Sequence, residues 1–434
     1  MRAETVLVVG AGLAGLSAAT ELARAGLSVL VVDQAQAVGG AIHRQPLAGG
    51  RSIASGAQKR RWAGVMAGVA AQGGRITLSP GTRFGGVDHT GAVLLSGAMN
   101  RLFRPSALVL ALGARESVQP RQGWTLPGVE TAGSLQTRLK TLAEAPAGRV
   151  LLAGSGPLLL ALGAELVKLG RPPVAILEAG RPFARPLAAL GLPRSYWAEA
   201  ALYLARLRLA RVPILTGTHL TAIRAEGGAL CAEVDGPRGA RRFVADHIAL
   251  HDGIRPNDIG LPDCATLPVV RLGDCREALG ARAALADGRA GGAALAARLL
   301  GRPVPAPDPE LACQRAAQAL LSRLYAHDGV ARLADLPGDT VICRCEARTV
   351  NDLRALGPNP RARQLRLDGR FAMGPCQGRF CGDWVARLAS PDRRGPDIPN
   401  PDIPNPGIGA PRWPARPIAV ADLLAATDET EGET

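Results

Sequence analysis

Gly10, Gly12 and Gly15 stand between a β-branched apolar run, Thr5 to Val9, and a stretch from Leu13 to Ala25 with helical periodicity. Gly26 closes that helix, and Leu27 to Val32 forms a second buried strand ending at Asp33. Strand, glycine turn, helix, strand and acid, in that order, predict a dinucleotide-binding βαβ unit. Gly10 permits the tight turn, Gly12 lets backbone approach a pyrophosphate at the helix N-terminus, and Gly15 lets helix pack on strand. Asp33 is placed to bind a ribose hydroxyl. A turn that only packs accounts for the glycines but not for the acid.

Three later features bear on which nucleotide is bound. Gly39 and Gly40 resemble the glycine pair that runs along FAD in two-dinucleotide-binding flavoproteins. Residues 106–120 (SALVLALGARESVQP) resemble the strand and turn by which such proteins leave the FAD domain, with Gly113 in the turn. Residues 269–295 resemble their late Gly-Asp motif, in which an acid, here Asp274, contacts the flavin ribityl chain; Cys275, Arg276 and Glu277 depart from the small residues usual there.

Residues 149–178 repeat the first layout: strand RVLLA, turn Gly154-Ser155-Gly156-Pro157, helix Leu158 to Leu169, strand VAIL, then Glu178. Leu159 replaces the third glycine, and a side chain there is expected to push helix from strand. Two readings stay open: a nicotinamide or adenylate site at Gly154, Gly156 and Glu178, or a fold kept without its ligand. The two units are nested, the second interrupting the first. This predicts an α/β chain with a discontinuous FAD domain (1–117 and 251–300), an inserted nucleotide-binding-like domain (118–250), a linker and helix (301–335), a cysteine module (336–390) and a Pro-rich repeat and tail (391–434). PDIPN occurs twice within 391–411, which reads as a polyproline-like spacer, and the acidic end, DETEGE, is expected to be disordered.

Of eight cysteines, Cys231, Cys264, Cys275 and Cys313 stand singly, which excludes a paired dithiol in the flavin domains and suggests small core residues. The other four fall in two close pairs, Cys343-Arg-Cys345 and, thirty residues on, Cys376 and Cys381, separated by a helical stretch capped at Thr349. Four thiolates suit structural zinc or a [2Fe–2S] cluster, and spacing does not choose. A neighbouring flavin favours the cluster, which gives it a one-electron acceptor. Arg344, Arg379 and the helix start near Cys381 would offset the added negative charge.

VICRCEARTVNDL with MGPCQGRFCGDWV resembles the [2Fe–2S] module of bacterioferritin-associated ferredoxins. With QGWTLPGV (122–129), GSGPLLL (154–160) and RWPARPIAVADLLA (412–425), the chain resembles the FAD/iron–sulfur, alpha-type subunit of heteromeric amino-acid dehydrogenases. That group includes octopine and nopaline oxidases, hydrogen cyanide synthase and D-hydroxyproline and proline dehydrogenases, with heteromeric sarcosine oxidase more distant. Ala41 departs from the polar residue usual after the glycine pair. The resemblance implies FAD and [2Fe–2S] as cofactors, with room for NAD(P) or ATP at one nucleotide site and FMN at a subunit interface. It implies a D-amino-acid-oxidase-type flavoprotein partner that takes hydride from the C–N bond of a hydroxyproline, proline or opine, a small ferredoxin-like partner, and a quinone or other acceptor.

No catalytic residue is read from the sequence. His247 and His251 are expected on a buried strand, and Asp252, Arg255 and Asn257 in a turn. A self-contained NAD(P)H-dependent FAD/[2Fe–2S] oxidoreductase and a scaffold holding nucleotide and zinc are the alternatives. The net charge of +14 rests on arginine, lysine occurring only at 59, 140 and 168, and its even scatter argues against nucleic acid. No apolar stretch reaches the ~18 residues of a membrane span. Glu4 and the glycine pattern argue against a signal peptide, so a cytoplasmic location with reduced thiols is expected, with peripheral association at the inner membrane face compatible with a quinone acceptor.

Overall fold

The computed structural model describes residues 5–47, 50–184, 186–261, 264, 266–328, 335–389 and 413–428. They form two compact units, the first made of Met1–Arg115, Arg255–Ala316 and Ala410–Thr434, the second of Glu116–Ile254 and Ala317–Gly409. The second unit interrupts the first; the first runs on to Ala316 and takes in Ala410–Thr434, and the cysteine module shares a unit with the insert.

The first unit contains β1 (Thr5–Val9), α1 (Leu13–Arg24), β2 (Ser28–Asp33), α2 (Gly56–Ala70), β3 (Ile76–Pro80), β4 (Thr82–Val87), β5 (Val93–Gly97), β6 (Arg101–Phe103) and β7 (Ala107–Leu110). A parallel sheet runs Val269–Arg271, β7, β1, β2, β3. Both faces are covered, which is why β1 reads as an unbroken apolar run. Val6 and Val8 pack with Leu16, Leu22 and Leu295 on the helix side, while Leu7 and Val9 pack with Phe84, Leu95 and Phe103 of the antiparallel β4–β6 layer. The helix Ala281–Leu299 lies close against α1: a Cβ at Gly288 would meet the Ala14 carbonyl oxygen at 2.3 Å.

The spacer expected at 391–411 lies outside the described residues. Residues 413–428, which carry most of the closing motif RWPARPIAVADLLA, pack on the first unit. Ala415 is buried and donates its N–H to the Gly85 carbonyl at 2.7 Å; Arg416 reaches Gln34 at 2.9 Å; and Thr427–Asp428 pairs parallel with β6. The bare backbone of Gly85 and Gly86 admits this segment. The helix expected within 301–335 runs Pro309–Leu324, with Pro tolerated in its first turn, where an N–H has no partner to lose.

The second unit holds a parallel sheet ordered Ile214–Thr216, Ala175–Glu178, Val150–Gly154, His247–His251, Val129–Thr131, beside an antiparallel sheet of His219–Glu226, Ala229–Asp235 and Arg241–Ala245. Leu159 is fully buried, and the close approach of the helix Pro157–Lys168 to the sheet comes at Gly163, whose Cβ would meet Ile176 at 2.8 Å. Residues 336–389 add a small core of Ile342, Val350, Leu353, Leu365, Phe371, Trp384 and Val385. The buried Trp124 indole N–H donates to the Val341 carbonyl at 2.7 Å, tying that core to the insert. Trp124→Phe keeps most of the ring and removes the donor. The expected cost is about 1–2 kcal/mol, read as a lower unfolding midpoint and faster amide exchange at Ile342 and Cys343.

Asp252 lies in the connection after His247–His251, as expected, and its nearly buried carboxylate accepts from Gln119 N at 2.8 Å and from Arg121 at 2.6 Å. Of the four lone cysteines, Cys231 and Cys275 are core residues as expected. Cys313 is exposed and Cys264 half-buried, because they fall on an outward helix face and in a loop. Among the described residues no helix is long and apolar enough to cross a membrane.

Candidate functional site

At the first turn, Gly10 has φ +106°, and a Cβ there would lie 2.3 Å from the Ala111 carbonyl oxygen. A Cβ at Gly15 would lie 1.9 Å from the Gly10 carbonyl oxygen. Internal packing therefore demands both glycines. Gly12 and Gly113 are different: a Cβ on Gly12 meets only the Gly40 Cα at 3.8 Å, and one on Gly113 meets nothing within 4 Å. Gly113, at φ +69°, and Gly40, at φ +61°, are set by backbone conformation, whereas Gly12 leaves backbone bare with neither a packing nor a conformational reason, which fits a dinucleotide laid along it. Gly39, whose Cβ would strike the His43 carbonyl oxygen at 2.1 Å, shapes the adjoining loop, and its N–H donates to the Ala11 carbonyl.

Asp33 closes β2 as expected. One carboxylate oxygen accepts from Ala11 N at 2.7 Å and the other from Ala35 N at 2.8 Å. The acid thus braces the turn and keeps a lone pair on each oxygen for a hydroxyl. Asp274 sits in the short helical turn Gly273–Cys275, where its Oδ1 accepts from Leu279 N at 3.1 Å and Gly280 N at 2.9 Å, fixing the entry to the helix Ala281–Leu299. Burial pushes its carboxyl above the ordinary range. The atypical neighbours have structural tasks: Arg276 pairs with the buried Asp287, which also accepts from Gly273 N; Glu277 pairs with Arg315 at 2.8 Å; and burial raises the Cys275 thiol to about 11.

The second turn is satisfied from within. Glu178 accepts from the Ser155 hydroxyl at 2.7 Å, from Gly156 N at 3.0 Å and from Gly180 N at 2.8 Å. Ser155 N donates to the His251 carbonyl at 2.6 Å, and the Tyr325 carbonyl lies 3.1 Å from the Ser155 hydroxyl. Glu178 is buried, which raises its carboxyl pKa. His251, on the expected buried strand, is 3.3 Å from Glu116 through Nδ1, and its ring lies where a Gly156 Cβ would point. Sequence reasoning missed this His251–Glu116 pair and the arrival of Tyr325; the one signal for the first was the His at a strand end beside a glycine turn.

In the module, Cys343 and Cys381 are buried, Cys345 is exposed and Cys376 half-buried. The thiols pair two and two: Cys343 hydrogen-bonds with Cys381, and Cys345 with Cys376. The bond from Cys381, helped by backbone N–H groups of Ala372, Glu346 and Cys345, pulls the Cys343 thiol down to about 6 despite burial; Cys381 is pushed up. Gly374 is a necessity here, since its Cβ would sit 2.3 Å from the Cys345 Cβ. Thr349 caps the following helix reciprocally with Asp352, as expected. Arg379 donates to the Cys376 carbonyl at 3.2 Å, and the helix Gly382–Ala389 starts directly after Cys381. Among the described residues no three His, Cys, Asp or Glu side chains converge on one point. Four thiols in one small module can serve either a single zinc or a two-iron cluster.

The profile of the family described as pyridine nucleotide-disulphide oxidoreductase matches residues 4–275. The chain is 31% identical over 430 residues to the A subunit of opine oxidase from Rhizobium meliloti, covering 88% of this chain and 92% of the relative. It is 31% identical to the HcnB subunit of hydrogen cyanide synthase from Pseudomonas aeruginosa, covering 86% and 90%. The crystal structure of L-proline dehydrogenase from P. horikoshii shares the fold, with a TM-score of 0.61 at 16% identity over 97% of this chain and 79% of that one. With the strand-turn-helix unit, its bracing acid and its bare glycine wall, these matches place the chain in the pyridine nucleotide-disulphide oxidoreductase family, as an FAD-dependent oxidoreductase related to the A subunits of opine oxidases.

Proposed function

We propose that the chain is the electron-transferring flavin and iron–sulfur subunit of a heteromeric dehydrogenase acting on the C–N bond of a secondary amine or imino acid of the hydroxyproline, proline or opine class. Substrate oxidation is assigned to a partner flavoprotein subunit. The observation that carries the reading is the gathering of Cys343, Cys345, Cys376 and Cys381 in one small module of the same chain as a flavin-type glycine turn. Its relatives, named as subunits of opine oxidase and hydrogen cyanide synthase, support the division of labour.

When bound, FAD supplies a carrier that takes electrons in pairs and releases them singly, and a [2Fe–2S] centre supplies a one-electron acceptor. The chain's own residues hold and orient. Gly12, Gly40 and Gly113 present backbone along the dinucleotide, Asp33 offers carboxylate lone pairs to a ribose, and Asp274 fixes the helix entry. Backbone N–H groups favour the thiolate at Cys343, and burial keeps Cys343 and Cys381 away from water. The filled second turn argues against a self-contained NAD(P)H oxidoreductase.

The complex, purified anaerobically with its partner, is expected to show flavin and cluster absorbance, about two irons and two labile sulfides per chain, and amine oxidation with a dye acceptor. The chain purified alone is expected to keep the cluster and lose amine oxidation. Amine oxidation by the isolated chain, or zinc in place of iron, would overturn the reading.

A further inference from the structure

A cavity of about 680 Å³ opens in the second unit, at the outer carboxyl ends of the strands Ala175–Glu178 and Ile214–Thr216. This is the edge of a parallel α/β sheet where ligands bind. Arg181 and Arg323 line it, with His219, His327, Asp235 and Asp328. Arg181 is seated against Gly217: a Cβ there would lie 2.6 Å from the Arg181 Nε, and Gly217 has φ +64°. The glycine therefore makes room for the guanidinium. Neither arginine has a hydrogen-bond or ion-pair partner on its side chain among the described residues. The acids are engaged, Asp328 with His219 Nε2 at 3.2 Å and Asp235 elsewhere. Two uncompensated guanidinia thus face a ligand-sized space with the acids already occupied.

A second observation limits what can enter. A dinucleotide on this sheet needs free turn N–H groups for its pyrophosphate and a free acid for its ribose. Here Gly156 N and the Ser155 hydroxyl go to Glu178, Ser155 N goes to the His251 carbonyl, and the Tyr325 carbonyl lies over the turn. We propose that the cavity binds a phosphorylated small molecule through its phosphate group, held by Arg181 and Arg323, and that the adjoining glycine turn takes no dinucleotide. Planar guanidinium forks suit a phosphate. The proposal is independent of the electron-transfer reading, since neither the flavin turn nor the cysteine pairs contribute to it.

Calorimetric titration of the full chain with inorganic phosphate, AMP and NADH separates the outcomes. Phosphate and AMP are expected to bind, with affinity falling about tenfold for each of Arg181→Gln and Arg323→Gln and falling with added salt. Both side chains are exposed, so the variants should keep the wild-type circular dichroism and flavin content. AMP binding tighter than phosphate identifies a nucleotide as the source, and equal affinities identify free phosphate. No binding of either probe at millimolar concentration, binding untouched in the double variant, or NADH binding that survives it would overturn the proposal.

Discussion

Cys343→Ser is expected to strip the module of iron and labile sulfide while leaving flavin content unchanged. Cys343 is buried at the centre of the thiol site, bonded to Cys381 and to three backbone N–H groups. A serine oxygen there is a poor iron ligand, and Cys381, the partner it leaves, has the more reluctant thiol. Changes outside the ligand shell of a metal site already cost about 10–100-fold, so loss of a ligand should reduce amine-to-dye electron flow in the complex by at least about a hundredfold. Iron and sulfide analysis, together with flow to a dye, checks this. The exposed Cys313→Ser is the control and should change neither. Normal iron content in Cys343→Ser would remove these four thiols from the electron path.

The second large effect separates two glycines of one motif. Gly15→Ala places a methyl 1.9 Å from the Gly10 carbonyl oxygen, a backbone atom that cannot swing aside. The first unit should lose about 3 kcal/mol or more, or roughly 6–12 °C in unfolding midpoint, and flavin with it. Gly12→Ala meets only the Gly40 Cα at 3.8 Å, and its φ of −85° suits alanine. On the proposed reading, its methyl takes space that the pyrophosphate of a bound FAD needs. Flavin content should therefore collapse while the unfolding midpoint of the flavin-free protein stays near wild type. Full flavin in Gly12→Ala would mean that the turn packs and does not bind.

These two units show what a sequence can disclose. The strand-turn-helix order was readable because the chemistry is local: Gly10, Gly12, Gly15 and Asp33 lie within one βαβ stretch, and each has a separate steric or bonding reason. The pairing inside the cysteine site was half readable. Spacing announced four thiols, but which sulfur meets which depends on how residues 346–375 fold between them. Contacts across long separations left no local trace. Arg121 and Asp252 look like ordinary polar residues until folding buries them together, and Trp124 meets Val341 only after the insert and the module have formed. The second turn stayed undecided for a related reason. Its motif is nearly complete, yet Glu178 turns inward to Ser155 and Gly156, and Tyr325 arrives from far along the chain. The closing motif at 412–425 stood out as a motif, but its docking did not, because Ala415 and Thr427–Asp428 answer to Gly85 and β6, more than three hundred residues earlier.

That last pairing bears on how the protein is made. β6 is translated early, but the strand that covers its edge, Thr427–Asp428, leaves the ribosome after the insert and the cysteine module have both emerged. For most of its synthesis the first unit carries an unpaired sheet edge, the kind of surface that recruits other chains. The oldest part of the nascent polypeptide is thus among the last to be finished, and a message cut short near residue 412 would release a product with that edge still open.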